Sequence, residues 1–337
     1  MRPDWRASGK GSRIAMLDRP RRLAILHSRS TPRGARHHMI SQIESHLKAL
    51  GVETVHLYGT RHFEPADAIF VHVDLSVVSE RVRRFAAKYP MQINAGARDI
   101  RKTSFADGLL ERWNAYDAPV IVKSDLNYGG VPEFFERGLL DRLVRKLGRV
   151  LTGKPAPKIA SKSDYRIFPT LAAVPPELFG DGTVVQKLLL EKDGEKNLLR
   201  EYIFLGRLHY ENIERSSSEI ITEDEHVSCE PFVPHPRLLN LRHRMKLDYG
   251  KIDYVMIDGE PFIFDANKTM GLGNKSGTEA FGEGVNRMLQ AFAAELASAI
   301  EAPASARLTL NPGRNGSSEM PEASLQYPED DWQTATR

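Results

Sequence analysis

Apolar residues recur along the chain with two periods, and their order sketches the fold. RLAILH, from Arg22, is a short apolar run of strand type, and ARHHMISQIESHLKALG carries apolar residues at helical spacing up to Gly51. VETVHLYG and ADAIFVHVD read as strands, SVVSERVRRFAAKYP as a second helix stopped by Pro90, and MQIN as a short strand. This succession predicts a small α/β domain with a largely parallel sheet. The pattern then predicts a helix around SFADGLLERWNAY, a strand PVIVK with a glycine-containing loop, and a basic amphipathic helix between Val131 and Lys158. DYRIFPTLAAVPPELFG is broken by prolines and reads as extended.

From Thr183 the pattern changes. TVVQKLL, LLREYIFLG and RLHYENIE are strands separated by turns at EKDGEKN and Gly206, an antiparallel run with no intervening helices. PHPRLLNLRHRMKL is a predicted helix leading into a hairpin, and residues 278–302 form a closing helix.

The hairpin holds KIDYVMI and PFIFDAN on either side of Asp258–Gly259. Side chains alternate along a strand, so Asp265 and Asn267 share a face. Asp253 joins them only if the loop holds an odd number of residues, and a three-residue or bulged loop is therefore expected. Lys251, Asp253, Val255, Ile263, Asp265 and Asn267 then project one way. Ile252, Tyr254, Met256, Phe262, Phe264 and Ala266 project the other, as a core face.

Composition narrows the class. With 337 residues and 41% hydrophobic content, the chain can build two or three packed domains. No apolar run approaches eighteen residues, so no transmembrane helix is expected. Residues 1–20 are expected as a disordered basic extension, with Met16 as an alternative initiator, and the polar tail at 303–337 is expected to be disordered. A single cysteine, Cys229, excludes an internal disulfide and points to the cytoplasm. The net charge of +3 is dispersed among acids, which argues against a nucleic-acid surface. His37 and His38 fall in the first helix as surface residues. No glycine fingerprint follows the first strand, and GLGNKSG at 271–277 has the wrong spacing for a nucleotide loop.

Candidate chemistry collects on the hairpin. Two carboxylates and a carboxamide are hard oxygen donors, suited to magnesium, which takes one or two protein carboxylates and fills its remaining positions with water and phosphate. The competing reading is a solvated hairpin face whose acids balance Lys251. Lys123, ending an apolar strand beside Gly129 and Gly130, is a candidate phosphate grip, against a snorkelling lysine before an ordinary turn. Asp74, at the carboxyl end of VHVD, either caps the next helix, the favoured reading, or faces a ligand at the sheet edge.

In the order PVIVKSDLNYGG, VVQKLLLEKDG, LLREYIFLG and YGKIDYVMIDGEPFIFDANKTMG, the sequence resembles the ATP-grasp superfamily over residues 98–298. The resemblance implies an α/β and α+β chain: an ATP-grasp fold of two lobes clasping nucleotide (99–184 and 185–302), preceded by a small parallel-sheet α/β domain (21–98). It further implies that Lys123 and Lys102 contact ATP phosphates and that Asn127, Gly129 and Gly130 belong to a loop closing over them. Gln186, Lys187 and Leu189 would form the hinge reading adenine, and Glu191 would hold the ribose. Asp253, Asp265 and Asn267 match the ligands of magnesium, or of manganese in its place. Asp265 departs from the Glu more common there, which draws the metal towards the strand or leaves room for a water. Arg200 and Lys251 are candidates for gripping the transferred phosphate, although a cross-strand ion pair with Glu201 or Glu211 explains Arg200 equally well.

The implied activity is ligation of a small-molecule carboxylate to an amine through an acylphosphate, with ATP and magnesium. The alternatives are a kinase on the same fold and a non-catalytic nucleotide-binding protein.

Overall fold

Strands β1 (Arg21–His27), β2 (Val52–Tyr58), β3 (Ala68–Val71) and β4 (Met91–Ile93) form the expected parallel sheet, in the order β2-β1-β3-β4. The computed structural model describes residues 20–34, 38–136, 164–180, 182–221, 225–271 and 282–302. Residues 1–19, the helix expected over 137–158, His37, the GLGNKSG run past Gly271 and the tail from 303 lie outside the described residues. Helix α1 (Ile40–Ala49) buries Ile40, Ile43 and Leu47 against one face of the sheet, and α2 (Glu80–Ala86) buries Phe85 and Ala86 in the core of the other.

A second sheet, all antiparallel, runs β5 (Leu109–Leu110), β8 (Thr183–Lys187), β6 (Val120–Ser124), β7 (Arg166–Phe168). The third runs β12 (Glu225–Pro231), β11 (Leu208–Ser216), β10 (Lys196–Leu205), β13 (Tyr249–Ile257), β14 (Glu260–Asn267), with β9 (Glu191–Asp193) also on β10. Strand β8 pairs with β6, so the sheet of the first lobe extends to Lys187, past the boundary expected at 184. Strand β12 was not foreseen: EHVSCEP alternates too weakly to announce a strand.

Cores show how the sheets join. One cluster runs from Leu23, Ile25 and Phe70 of the parallel sheet to Ile203 and Tyr249 of the third sheet and Phe292 on helix α5 (Glu283–Glu301). The second sheet has a separate core of Val120, Val122, Leu171 and Val185. Behind β10 and β13, helix α4 (Pro236–Met245) covers Tyr202, Phe204 and Ile252. At the first joint sits Asn94, in the left-handed region at φ 59. Its backbone N–H donates to Asp248 Oδ2 (2.7 Å), its amide N–H to the Tyr249 carbonyl (2.8 Å), and its amide oxygen accepts from the N–H groups of Asp248 and Tyr249 (2.8 and 2.9 Å).

Two expected helical features are absent. SFADGLLERWNAY follows a 3₁₀ turn at Lys102–Ser104, which takes in only its first residue, and contributes the two residues of β5. Gly108 is left-handed (φ 63), Asp107 exchanges hydrogen bonds with the Ile263 backbone, and Lys187 N–H donates to the Gly108 carbonyl. These contacts with β14 and β8 take the backbone groups a helix would need. His38 precedes α1 and is buried, with Nδ1 bonded to the Thr269 carbonyl at 3.2 Å.

The β13–β14 hairpin corrects the loop expectation while keeping its consequence. Ile257 pairs with Glu260, so the loop is the two residues Asp258 and Gly259, at φ 52 and 85, both left-handed as a type I′ turn requires. Such a loop would put Asp253 and Asp265 on opposite faces. A β-bulge resets the count: Tyr254 pairs with Ile263, Asp253 with Asp265, and Phe264 is the extra residue. The two acids therefore stand directly across from one another. Ile263 turns into the core, whereas Phe262 and Phe264 face the cleft, the reverse of the expected assignment. No atom lies within 4 Å of a methyl group built on Gly259, so Gly259→Ala should cost only the backbone strain, about 1 kcal/mol, read as a lower urea midpoint at unchanged slope.

Candidate active site

The second and third sheets face each other across a cleft. Its apolar walls come from Ile121, Leu188, Leu189, Val255, Phe262 and Phe264, and its polar end from Lys123, Asp253 and Asp265. Apolar walls leading to a charged end suit a ligand with one apolar part and one charged part.

Cross-strand pairing builds the acidic end. Glu201 on β10 pairs with Asp253 on β13, which pairs with Asp265 on β14, giving three carboxylates in a row on one sheet face. Cationic groups lie between them. Lys251 Nζ is 3.2 Å from Asp253 Oδ1 and bonds Glu201, while Lys102 Nζ, 2% exposed, is 3.1 Å from Asp265 Oδ1. Burial alone would lower the Lys251 pKa, but Asp253 and Glu201 outweigh it and hold the ammonium well above its usual value. Lys123 Nζ lies 4.8 Å from the centre of the Phe264 ring, which the bulge has turned into the cleft.

Asn267 follows two residues beyond Asp265. Its amide oxygen accepts from Thr269 N–H (2.8 Å), and the Thr269 hydroxyl also bonds Asp74 (2.7 Å). Asp74 thus meets the hairpin end at the sheet edge; α2 begins after Ser79, so the capping reading fails. Tyr128, left-handed at φ 45 beside Gly129, brings its hydroxyl to the Asn267 side chain. Asn127 N–H donates to the Ser76 hydroxyl at 2.9 Å, and Gly130, at φ 76, is buried.

The remaining candidates are placed as follows. Gln186, Lys187 and Leu189 line the cleft; the Gln186 amide donates to the Asp107 carbonyl (2.6 Å), and Lys187 Nζ lies 4.9 Å from the centre of the Tyr116 ring. Arg200 does not share the acids' face. It pairs with Tyr254, one residue out of step with Glu201 and Asp253, and so projects from the opposite side of β10. There its guanidinium clamps Glu191 (2.7 and 2.9 Å) and reaches Glu211 (3.1 Å), and Glu191 also accepts from Met256 N–H. Both Arg200 and Glu191 are engaged with each other.

Pattern alone did not disclose Glu201, which becomes visible only once the β10–β13 register is known. Tyr165 was likewise unforeseen. It lines the cleft, and burial pushes its hydroxyl pKa up, with Asp265 and Asp253 adding to the rise.

Among the described residues, no group of three His, Cys, Asp or Glu side chains is placed to hold a metal ion. The donors available are the Asp253 and Asp265 carboxylates and the Asn267 amide. They fit an ion that keeps most of its shell for water and phosphate, as magnesium does, and not one that needs a closed protein cage.

No family model matches the chain, and no curated protein matches it. Among solved structures, it is similar to a RiPP-associated ATP-grasp ligase of Chryseobacterium gregarium in complex with ADP and a leader and core peptide (11% identity, 84% of this chain and 98% of that one, TM-score 0.44). It is also similar to a RimK-domain ATP-grasp protein of Sphaerobacter thermophilus DSM 20745 (13%, 82% and 98%, TM-score 0.40). A third is a D-alanine–D-alanine ligase of Bacillus anthracis (11%, 82% and 97%, TM-score 0.36). Two antiparallel sheets facing an acid- and lysine-lined cleft, with a four-stranded parallel sheet before them in the chain, are the arrangement the sequence resemblance implied.

Proposed function

We propose that the chain is an ATP- and magnesium-dependent ligase that activates a carboxylate as an acylphosphate and passes the acyl group to an amine. The observation that carries this reading is the cross-strand pair Asp253–Asp265, with Lys102, Lys123 and Lys251 around it, at the polar end of an apolar cleft between two sheets. Asp253, Asp265 and Asn267 would hold the metal, which when bound neutralises phosphate charge and holds the transferring group in line. The apolar walls take the purine. Lys123 would reach the phosphates from the opposite lobe, and Lys251, drawn between Glu201 and Asp253, would supply a cation to the developing acylphosphate oxygens. Electrostatic stabilisation of this kind needs fixed charges in a shielded site. Lys102 and Lys251 meet that need, being held by carboxylates on the same sheet.

A screen of candidate carboxylates and amines for release of ADP together with inorganic phosphate tests the reading. Phosphorylated product without free phosphate would make the chain a kinase instead. Lys123→Ala should weaken ATP binding by about 1–3 kcal/mol, the scale of a lost charge-assisted contact. Equal affinity in calorimetry would take Lys123 out of the nucleotide site.

A further inference from the structure

Helix α3 (Val131–Glu136) sets two acidic side chains, three residues apart, against the carboxyl edge of the parallel sheet. The Glu136 carboxylate accepts from the backbone N–H (3.1 Å) and hydroxyl (3.0 Å) of Ser30, in the loop after β1, and its other oxygen lies 3.6 Å from Arg29 Nε. The Glu133 carboxylate accepts from the N–H of Ser76 (2.6 Å), in the segment after β3, the strand beside β1. The Ser28 hydroxyl bonds those of Ser30 and Thr31 at 3.0 and 2.9 Å and braces the loop from below.

A backbone N–H, a hydroxyl and a guanidinium are the donors that recognise a carboxylate. They converge at the strand ends where ligands bind in open α/β sheets. The present occupant fits poorly. No residue of helix α3 is fully buried, and Phe134 and Phe135 on it are more than half exposed. Glu133 Oε2 and Asn127 Nδ2 are buried without a hydrogen-bond partner, the mark of groups arranged for something else. The same edge adjoins the acidic end of the cleft. Asn127 and Glu133 both contact Ser76, and Thr269 links Asp74 to Asn267.

We infer that this edge is the carboxylate subsite of the substrate, that it takes a molecule bearing two carboxylates, and that Glu133 and Glu136 fill it as an internal mimic until that molecule displaces them. The inference rests on the ligase reading above for the identity of the bound molecule as substrate.

Calorimetry on the full chain with glutarate, with acetate as the single-acid control and a Glu-Glu dipeptide amide as the peptide form, tests it. The double variant Glu133→Ala/Glu136→Ala, which empties both carboxylate positions, should bind glutarate or the dipeptide at least tenfold more tightly than the wild type, and by a larger factor than acetate gains. Which of the two gains more identifies a free diacid or an acidic peptide as the source. The double variant Glu133→Gln/Glu136→Gln, which keeps both side-chain lengths, should move the same way. Adding Arg29→Ala or Ser30→Ala to the double alanine variant should reduce the gain. No gain in either double variant, a gain no larger than that of acetate, or a gain indifferent to Arg29 and Ser30, overturns the subsite. ATP–magnesium binding measured on the same samples keeps the two readings apart: its absence from the wild type sinks the nucleotide reading whatever the acids do, and its presence without the diacid gain sinks only the subsite.

Discussion

Asp265→Asn should reduce magnesium-dependent ATP turnover by about a hundredfold or more, with a smaller fall in thermal midpoint than Asp265→Ala. The magnitude follows from the position of the residue, since altering even an outer-shell partner of a metal typically costs about 10–100-fold. The choice of Asn over Ala follows from Lys102. That ammonium is buried beside Asp265 at 3.1 Å, and deleting one partner of a buried pair costs about 3–5 kcal/mol by stranding the other. Asp265→Ala would therefore confuse loss of chemistry with loss of fold, whereas Asn keeps an acceptor facing Lys102. Circular dichroism melts alongside steady-state ADP release separate the two. Turnover of Asp265→Asn equal to wild type would remove the metal role from the hairpin.

The largest expected loss of stability lies away from the cleft. Asn94→Ala should cost about 4 kcal/mol or more, because it removes the side-chain partner of the buried N–H groups of Asp248 and Tyr249 and of the Tyr249 carbonyl. Each orphaned buried group costs about 1–3 kcal/mol, and an alanine at φ 59 adds strain of about 1–2 kcal/mol. Asn94→Gly should recover the strain while leaving the hydrogen bonds lost, so it should fall between the two in urea titration. If Asn94→Ala unfolds at the wild-type midpoint, the joint does not carry the load assigned to it.

Much of the architecture was legible because it rests on period. The parallel domain, the switch to antiparallel strands and the closing helix each follow from spacing of apolar residues, which burial enforces. What was misread depended on partners remote in sequence. SFADGLL has a helical pattern, yet its backbone is claimed by Ile263 of the opposite sheet and Lys187 of the neighbouring strand, both remote in sequence. The hairpin shows the same limit within twenty residues. Asp258–Gly259 announced a two-residue turn and the acids demanded a common face. The sequence pattern placed the correction in the loop, where the chain placed it at Phe264, since a bulge is chosen by twist and neighbouring strands and leaves no residue signature as plain as glycine. Arg200 and Glu201 differ by one position, and only the register of β10 on β13 decides which of them meets the acids.

Three sheets do not make three independent bodies. The parallel sheet and the β10–β14 sheet share one continuous core and are locked at Asn94, whereas the β5–β8 sheet keeps a core to itself. Amide exchange should accordingly sort the molecule into two cooperative units, with Val120, Val122 and Val185 opening at a free energy of their own and Leu23, Phe70, Tyr249 and Phe292 opening together. If the cleft takes nucleotide as proposed, its widening should come from the smaller unit swinging on the larger, carrying Lys123 with it while Asp253 and Asp265 stay fixed to the body that also bears the Ser30 and Ser76 edge.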